Sequence, residues 1–423
     1  MRRPVSMNDR SGPAREEGVD FAPRLRAKQS PSGRNGCQSP RRQAESRKTG
    51  RVMKKLLIVA VALCGALVAN SVGAGNGTPI NTGSANTLTL AVYGDWPYSS
   101  LLLNAAPLLL DSINSDPKVR LVMHVGDIHS GSMLCTLQWN LQIYDVFQQF
   151  KDPLVYTPGD NEWTDCHRPA EGNQNPLTEL ANIRSLFFPT PGYTLGGRKK
   201  QVLSQARVVD MFHPSDAQFV ENVMWEESQV VFVTVNVPGS NNDTVPWSAP
   251  YNTPQFKAAQ ATEVTDRTAA DIRWLERAFA QAEADGAVAV LIGLQANMWD
   301  PAAVPPPNTR DGLNAYKPIV QRLAELSVHF QRPVLLINGD THIFQDDRPL
   351  ANLDPNTPIG SINVNIYGIQ NPVLNLRRIT VQGSTNRPGE WVRLTIDPRS
   401  SEIFTVENVV YCEATNPVCF PQP

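Results

Sequence analysis

The dipeptide Gly-Asp occurs four times in this sequence of 423 residues, as Gly94-Asp95, Gly126-Asp127, Gly159-Asp160 and Gly339-Asp340. Chance alone gives roughly 1.5 such pairs at these abundances, so the informative feature is placement. Each pair directly follows an apolar run that reads as a buried strand: Thr89–Tyr93, Leu121–Val125, Leu154–Pro158 and Val334–Asn338. In open α/β sheets the carboxyl ends of parallel strands line the ligand crevice. Four carboxylates from distant parts of the chain are therefore expected on one edge. Like charges there repel by about 4 kcal/mol per pair at about 4 Å and an effective dielectric of about 20, and are driven to protonate. The basic residues nearby in sequence, Lys118, Arg120 and Lys151, lie outside the apolar strand cores. A bound metal is the economical counter-charge, and glycine before each Asp allows a sharp turn and a close approach. One Asp after a strand is an ordinary turn or cap residue. The chemical reading rests on all four together and on His342, which follows Asp340 closely enough to reach the same ion.

Gly94-Asp95, Gly126-Asp127-Ile128-His129, Pro158-Gly159-Asp160-Asn161-Glu162 and Gly339-Asp340-Thr341-His342 resemble, in order and setting, the motifs of the calcineurin-like metallophosphoesterases. Purple acid phosphatases and bacterial phosphodiesterases belong to that superfamily. The resemblance runs from roughly Leu88 to Phe344 and takes in the Asp271–Trp274–Leu275 helix and the Val288–Trp299 segment. It implies an α/β fold, a β-sandwich of mixed sheets flanked by helices (α/β/β/α), with a two-metal centre. The chain departs from the pattern at several places. Pro97 stands where the first motif has His, and Asp160 and Asn161 stand where the third has a metal-binding Asn and a proton-donating His. Gln295 stands for the His of the fourth motif, and the last motif reads Gly-Asp-Thr-His instead of Gly-His-x-His. By the resemblance, Asp127 bridges two metals, Asp95 and His342 hold one, and Asp160, Asp340 and Gln295 hold the other.

These swaps run from imidazole nitrogen to oxygen, which favours Mg²⁺, Mn²⁺ or Ca²⁺ over Zn²⁺, as one ion or two. Asn161 occupies the place of the missing proton donor. His167 is the candidate replacement acid and Arg168 the candidate phosphate-binding cation, with His129 the other contender for the acid; the plain alternative is that His167 and Arg168 decorate a surface loop. The implied function is an exported metal-dependent hydrolase of small phosphate mono- or diesters. The alternative is a catalytically degenerate protein of the same fold that binds a metal or ligand. No Gly-x-Ser-x-Gly occurs, so a serine hydrolase of the α/β-hydrolase kind lacks its motif.

The elements that must position these residues are legible as apolar runs bounded by turn residues. Strands are expected at Leu88–Tyr93, Val119–Val125, Pro153–Tyr156, Gln229–Val237, Ala287–Leu294 and Pro333–Asn338. Helical periodicity falls between them at Leu101–Ile113, Leu137–Phe150, Leu177–Phe187, Arg267–Ala284 and Ala315–His329. This alternation predicts a largely parallel sheet. Four further runs, Ile362–Ile369, Leu376–Val381, Trp391–Ile396 and Ile403–Val409, predict an antiparallel sheet closing the fold. Pro238–Pro254 and Asp300–Gly312 read as long loops of the kind that often cover a site. Residues 87–423 read as one domain, preceded by a flexible segment at 75–86.

Lys54-Lys55, an apolar stretch from Leu56 to Ala69 and small residues up to Ala74 make a signal peptide over residues 53–74. The stretch falls short of the ~20 apolar residues that span a bilayer. Residues 1–52 have no apolar periodicity and are expected to be a disordered leader, with translation starting at Met53. Secretion or a periplasmic location follows, without stable membrane insertion after cleavage. Four cysteines remain beyond the signal, and the short Cys412–Cys419 loop favours a local disulfide, leaving Cys135 for Cys166; free buried thiols are the alternative. Residues 75–423 hold 23 Lys+Arg against 35 Asp+Glu, a balance of −12, which repels nucleic acid and anionic lipid.

Overall fold

The computed structural model describes residues 86–303 and 312–419. The leader, the signal peptide, residues 75–85 and part of the 300–312 loop lie outside the described residues. Among the described residues twelve strands form two mixed sheets. In the first sheet, β1 (Leu88–Tyr93), β2 (Val119–His124) and β3 (Leu154–Tyr156) run parallel, and β11 (Glu390–Ile396) and β12 (Phe404–Val410) add antiparallel at the β1 side. In the second, β6 (Val230–Thr234), β7 (Ala289–Gly293), β8 (Val334–Asn338) and β10 (Leu376–Thr380) are parallel. Its edges are the antiparallel pair β4 (Leu203–Ser204) and β5 (Val223–Glu227) and the short β9 (Gln345–Asp347).

Period-two alternation builds the layers. Leu90, Val92, Phe232, Leu291, Leu335 and Ile337 point into the core between the sheets. Their neighbours Ala91 and Tyr93 face α1 (Ser100–Asn104), α2 (Ala106–Ser115), α3 (Leu137–Gln148) and α4 (Pro176–Phe187). Val231, Val233, Val290, Ile292 and Leu336 face α5 (Pro254–Ala284) and α6 (Lys317–Phe330). Strands covered on both faces have no polar face, so they read as continuous apolar runs. Each fully buried Val, Leu, Ile or Phe contributes roughly 1.5–3 kcal/mol. The result is the α/β/β/α layering that the resemblance implies.

Three expectations are corrected. The C-terminal strands form no sheet of their own: β10 lies parallel to β8 in the second sheet, and β11 and β12 extend the first. Ile362–Tyr367 is helical, not a strand. Thr357 caps the preceding turn by accepting the Gly360 N–H (3.2 Å), and Gly368 stops the helix at φ 70°. The third concerns α5, which starts at Pro254 instead of Arg267.

Arg267 and Asp271, on the buried face of α5, belong to a polar network beneath the second sheet's strand ends. Asp271 Oδ1 accepts from Asn222 Nδ2 (2.7 Å), and burial, opposed by Arg267, pushes its carboxyl up to about 8. The folded state therefore holds a proton at neutral pH that the unfolded chain has released, and stability falls as pH rises from about 4 to about 8. Asp271→Asn keeps the shape without the titration. Denaturant unfolding at about pH 4 and about pH 9 should show the variant matching wild type in acid and exceeding it in base.

Candidate metal centre

The carboxyl ends of β1, β2, β3, β7 and β8 bring Asp95, Asp127, Asp160, Gln295 and Asp340 into one hydrogen-bonded cluster. The Asp340 N–H donates to both Asp95 oxygens (2.9 and 3.0 Å). Gln295 Nε2 donates to Asp127 Oδ2 (3.2 Å) and Asp160 Oδ1 (3.1 Å), while its Oε1 accepts the Gly239 N–H. Asp340 Oδ2 accepts the Asn297 N–H (2.8 Å). His342 Nε2 lies 3.4 Å from Asp95 Oδ1, and its Nδ1 faces Thr385, whose N–H it accepts at 3.3 Å. Asn161 Nδ2 lies 3.0 Å from Asp127 Oδ2 and 2.9 Å from the His129 carbonyl.

Two of the four glycines of the repeated dipeptide make room for a carboxylate from a neighbouring strand end, while Gly94 faces Val125 and Gly126 faces Gln295. A Cβ on Gly159 would sit 2.0 Å from Asp127 Oδ1, and one on Gly339 would sit 2.3 Å from Asp95 Oδ2. Asp95, Asp127, Asp340 and His342 hold left-handed backbones, with φ of 50, 59, 77 and 62°. Non-glycine residues in that region cost of order 1–3 kcal/mol each and cluster at functional sites.

Electrostatically the cluster is under-compensated. Burial first, then Asp160 and other acids, pushes the Asp127 carboxyl well above the usual carboxylate range. Asp340 is raised by the same causes. The guanidinium that reaches them, Arg168, does so through Ser240: Arg168 Nη2 donates to Ser240 Oγ (3.1 Å), which lies 2.9 Å from Asp160 Oδ2. The oxygen-rich donor set with one imidazole fits a hard divalent ion. Its spacing is wider than a collapsed ligand set, however. Among the described residues the one trio of His, Cys, Asp or Glu ligand atoms mutually within 4.8 Å is His129, Cys135 and Cys166. Those two sulfurs form a disulfide, as Cys412 and Cys419 do, so they offer no thiolates.

Sequence reasoning missed Tyr98, which stands between the carboxylates. Its hydroxyl donates to Asp127 Oδ2 (2.8 Å), lies 3.2 Å from His342 Nε2 and 3.5 Å from Asp95 Oδ1, and accepts from Asn161 Nδ2 (3.0 Å). Its position three residues past Asp95 was the available signal. Tyr98→Phe removes a donor from a buried carboxylate and should cost about 1–3 kcal/mol in denaturant unfolding of metal-free protein. Glu162 has a positioning role that its motif does not reveal: its Oε1 accepts the Tyr156 hydroxyl (2.6 Å) and the Gly159 N–H (2.7 Å), fixing the turn that carries Asp160.

Ser240 was also missed. It sits in a left-handed turn, Gly239–Asp243, in which Ser240, Asn241, Asn242 and Asp243 have φ of 49, 51, 58 and 62°. Such a turn costs roughly 1–2 kcal/mol per residue, and it is held by buried bonds from Arg267 to Asn242 and from Trp247 and Gln260 to Asp243.

The candidate acids are placed differently from the candidate metal ligands. His167 Nδ1 accepts the Ser248 N–H (2.9 Å), and burial, then Arg168, pushes its pKa down to about 4. A neutral imidazole bonded in this way is a poor proton donor at neutral pH. His129 is buried, with Nδ1 3.1 Å from the Ser130 carbonyl and its pKa pushed down to about 4 by desolvation. Arg168 borders the cluster and pairs with Asp165 (2.7 Å).

No protein-family model matches the sequence, and no curated protein matches it. Solved structures with a similar course of chain include GAP50, the anchor in the inner membrane complex of Plasmodium, at 10% identity and a TM-score of 0.35 over 77% of this chain and 90% of that one. They also include purple acid phosphatase PPD1 from yellow lupin (Lupinus luteus) seeds, at 11% identity and a TM-score of 0.38 over 77% of this chain. The match spans 54% of the lupin chain's length. Similarity this loose transfers no activity.

Proposed function

We propose that this protein is an exported, metal-dependent hydrolase of small phosphate mono- or diesters, of the calcineurin-like metallophosphoesterase kind. One observation carries the reading: Asp95, Asp127, Asp160, Asp340 and His342 converge at strand ends of both sheets, and the cation bonded nearest to them, Arg168, is held one side chain away. One or two Mg²⁺, Mn²⁺ or Ca²⁺ ions would be held by Asp95, Asp127, Asp160, Gln295, Asp340 and His342. Such an ion lowers the pKa of a bound water, holds a phosphate oxygen and absorbs charge on the leaving oxygen.

The chain's own residues orient and exclude. Arg168, with its side chain 38% exposed, is placed to meet phosphate charge on the outer side of Ser240. Asn161 and Tyr98 fix the rotamer of Asp127 by donating to the same oxygen. His167, neutral and bonded to Ser248, is given no proton-transfer role. The excess of acids over residues 75–423, 35 against 23 bases, disfavours long anionic polymers and leaves small esters. Export is supported by the two disulfides. Among the described residues no helix is long and apolar enough to cross a membrane.

A second reading, a degenerate member of the fold that binds a metal or ligand, is favoured by a different observation. Asp127 Oδ2 already takes bonds from Tyr98, Asn161 and Gln295, and no three acidic or imidazole ligand atoms of the cluster lie mutually within 4.8 Å. Elemental analysis joined to assays of p-nitrophenyl phosphate and its bis ester, with each ion and with chelator, separates the two. Turnover that chelation abolishes supports the hydrolase. One tightly held ion without turnover supports the second reading, and neither ion nor turnover removes both.

A further inference from the structure

Away from the carboxylates, the loop between Arg207 and Pro214 exposes Val209, Met211 and Phe212 by 91, 85 and 88%. Single exposed apolar residues are ordinary, but three bulky ones on one tip mark a contact surface. Local bonds set the tip's shape. Asp210 Oδ1 accepts the N–H groups of Phe212 (2.8 Å) and His213 (3.1 Å), and Asp210 Oδ2 lies 2.9 Å from His213 Nδ1. Val208 packs on the core under the second sheet, and beyond the loop Asp216 takes two bonds from Arg273 (2.6 and 2.8 Å). The loop is thus tied at both ends, with its apolar side chains turned outward.

Beside it runs a groove of about 960 Å³ between α4 and α5, walled by Leu180, Phe188, Pro191, Phe219, Thr262 and Asp266. Tip and groove adjoin. Arg207 donates to the Pro191 carbonyl, and Phe219 directly follows the helical turn Pro214–Gln218 that leaves the tip. We propose that this face joins two copies of the chain, the Val209–Phe212 tip of each entering the groove of the other.

Three features single out a second copy. A protrusion and a recess side by side on one face are self-complementary about a twofold axis, so the contact closes at two chains. Three such side chains carry on the order of 400–500 Å². Two reciprocal insertions, counted with the groove walls they cover, then bury on the order of 1,600–2,000 Å², the size of a stable interface. Charge is accommodated too: the tip's own carboxylate, Asp210, is paired with His213 of the same loop (2.9 Å), and exposed Arg207 at the foot of the tip is opposite in sign to the exposed carboxylate of Asp266 in the groove.

Sedimentation equilibrium on the purified protein tests this. Wild type should dimerise, and both Met211→Glu/Phe212→Glu and Thr262→Trp, at exposed positions that leave the core untouched, should weaken the dimer by about 100-fold. An equimolar mixture of the two variants should associate more tightly than either alone, because one intact tip then meets one intact groove. The proposal is overturned by a wild type that stays monomeric up to about 100 µM, or by a dimer indifferent to both variants. It is equally overturned by a monomer whose tip is needed only to co-sediment with phosphatidylcholine vesicles, which would assign the tip to lipid.

Discussion

Asp127→Asn should weaken divalent-metal binding by about 100-fold or more and lower phosphoesterase turnover by roughly 10³-fold, while leaving the metal-free protein at least as stable as wild type. The two halves of this expectation have opposite signs for one reason. Asp127 is buried among Asp160, Glu162, Asp95 and Asp340, and burial first, then those charges, drives its carboxyl well above the ordinary range. Without an ion, its negative charge is a liability, and an amide of the same shape removes it. With an ion, that charge is what the site offers. Tyr98, Asn161 and Gln295 all donate to Asp127 Oδ2, so an asparagine can keep its oxygen there; its amide then replaces Oδ1 and gives up the bond that Oδ1 accepts from the Asn161 N–H (3.2 Å), a loss offset by the removal of the buried charge. Calorimetric titration with Mn²⁺ and thermal unfolding in chelator read the two halves separately. A metal-free variant that melts several degrees below wild type would make Asp127 a structural residue and remove the metal argument.

The legibility of this chain follows from which faces its elements bury. Leu88–Tyr93 is visible as a strand because all six residues are buried between two layers. Val223–Glu227 escapes notice because Glu226 and Glu227 interrupt its apolar run. The first half of α5 is equally hidden: Gln255 to Asp266 is mostly solvent-facing, so no apolar period announces it before Arg267. Ile362–Tyr367 misleads in the other direction. Its β-branched and aromatic residues favour a strand, but Asn363 Nδ2 donates to the Pro349 and Asn352 carbonyls (2.7 and 2.8 Å), and its Oδ1 accepts from Trp299 (2.9 Å), tying the segment down as a helical turn. Tertiary bonds of that sort leave no local signature.

The site divides along the same line. The Gly-Asp repeats are visible because tight space at a strand end demands glycine: the carboxylate of an adjoining strand fills it at Gly159 and Gly339, and the side chains of Val125 and Gln295 fill it at Gly94 and Gly126. Gln295 follows from the resemblance, and His342 from its place two residues past Asp340. Tyr98 and Ser240 do not, because each reaches the cluster through a backbone path no motif encodes. For Ser240 that path is four successive left-handed residues.

The Cys135–Cys166 disulfide should matter more than its distance from the sheets suggests. It closes a loop across 31 residues, against 7 for Cys412–Cys419. The chain-entropy relation gives about 3.7 kcal/mol for the longer loop and about 2.4 kcal/mol for the shorter. The longer loop contains Asp160 and Asn161 and begins eight residues after Asp127, so opening it also loosens the turn that carries a proposed metal ligand. Both sulfurs lie 3.5 Å from the Asn161 carbonyl oxygen, in direct contact with that turn. Cys135→Ser/Cys166→Ser should therefore lower denaturant stability by about 3–4 kcal/mol and weaken Mn²⁺ binding at temperatures where the variant remains folded. Cys412→Ser/Cys419→Ser should lower stability by less and leave Mn²⁺ affinity unchanged, because nothing in that short loop bonds to the cluster. Equal metal affinity in both double variants would show that the site's geometry is set by the strand ends alone, with the long loop contributing to stability only.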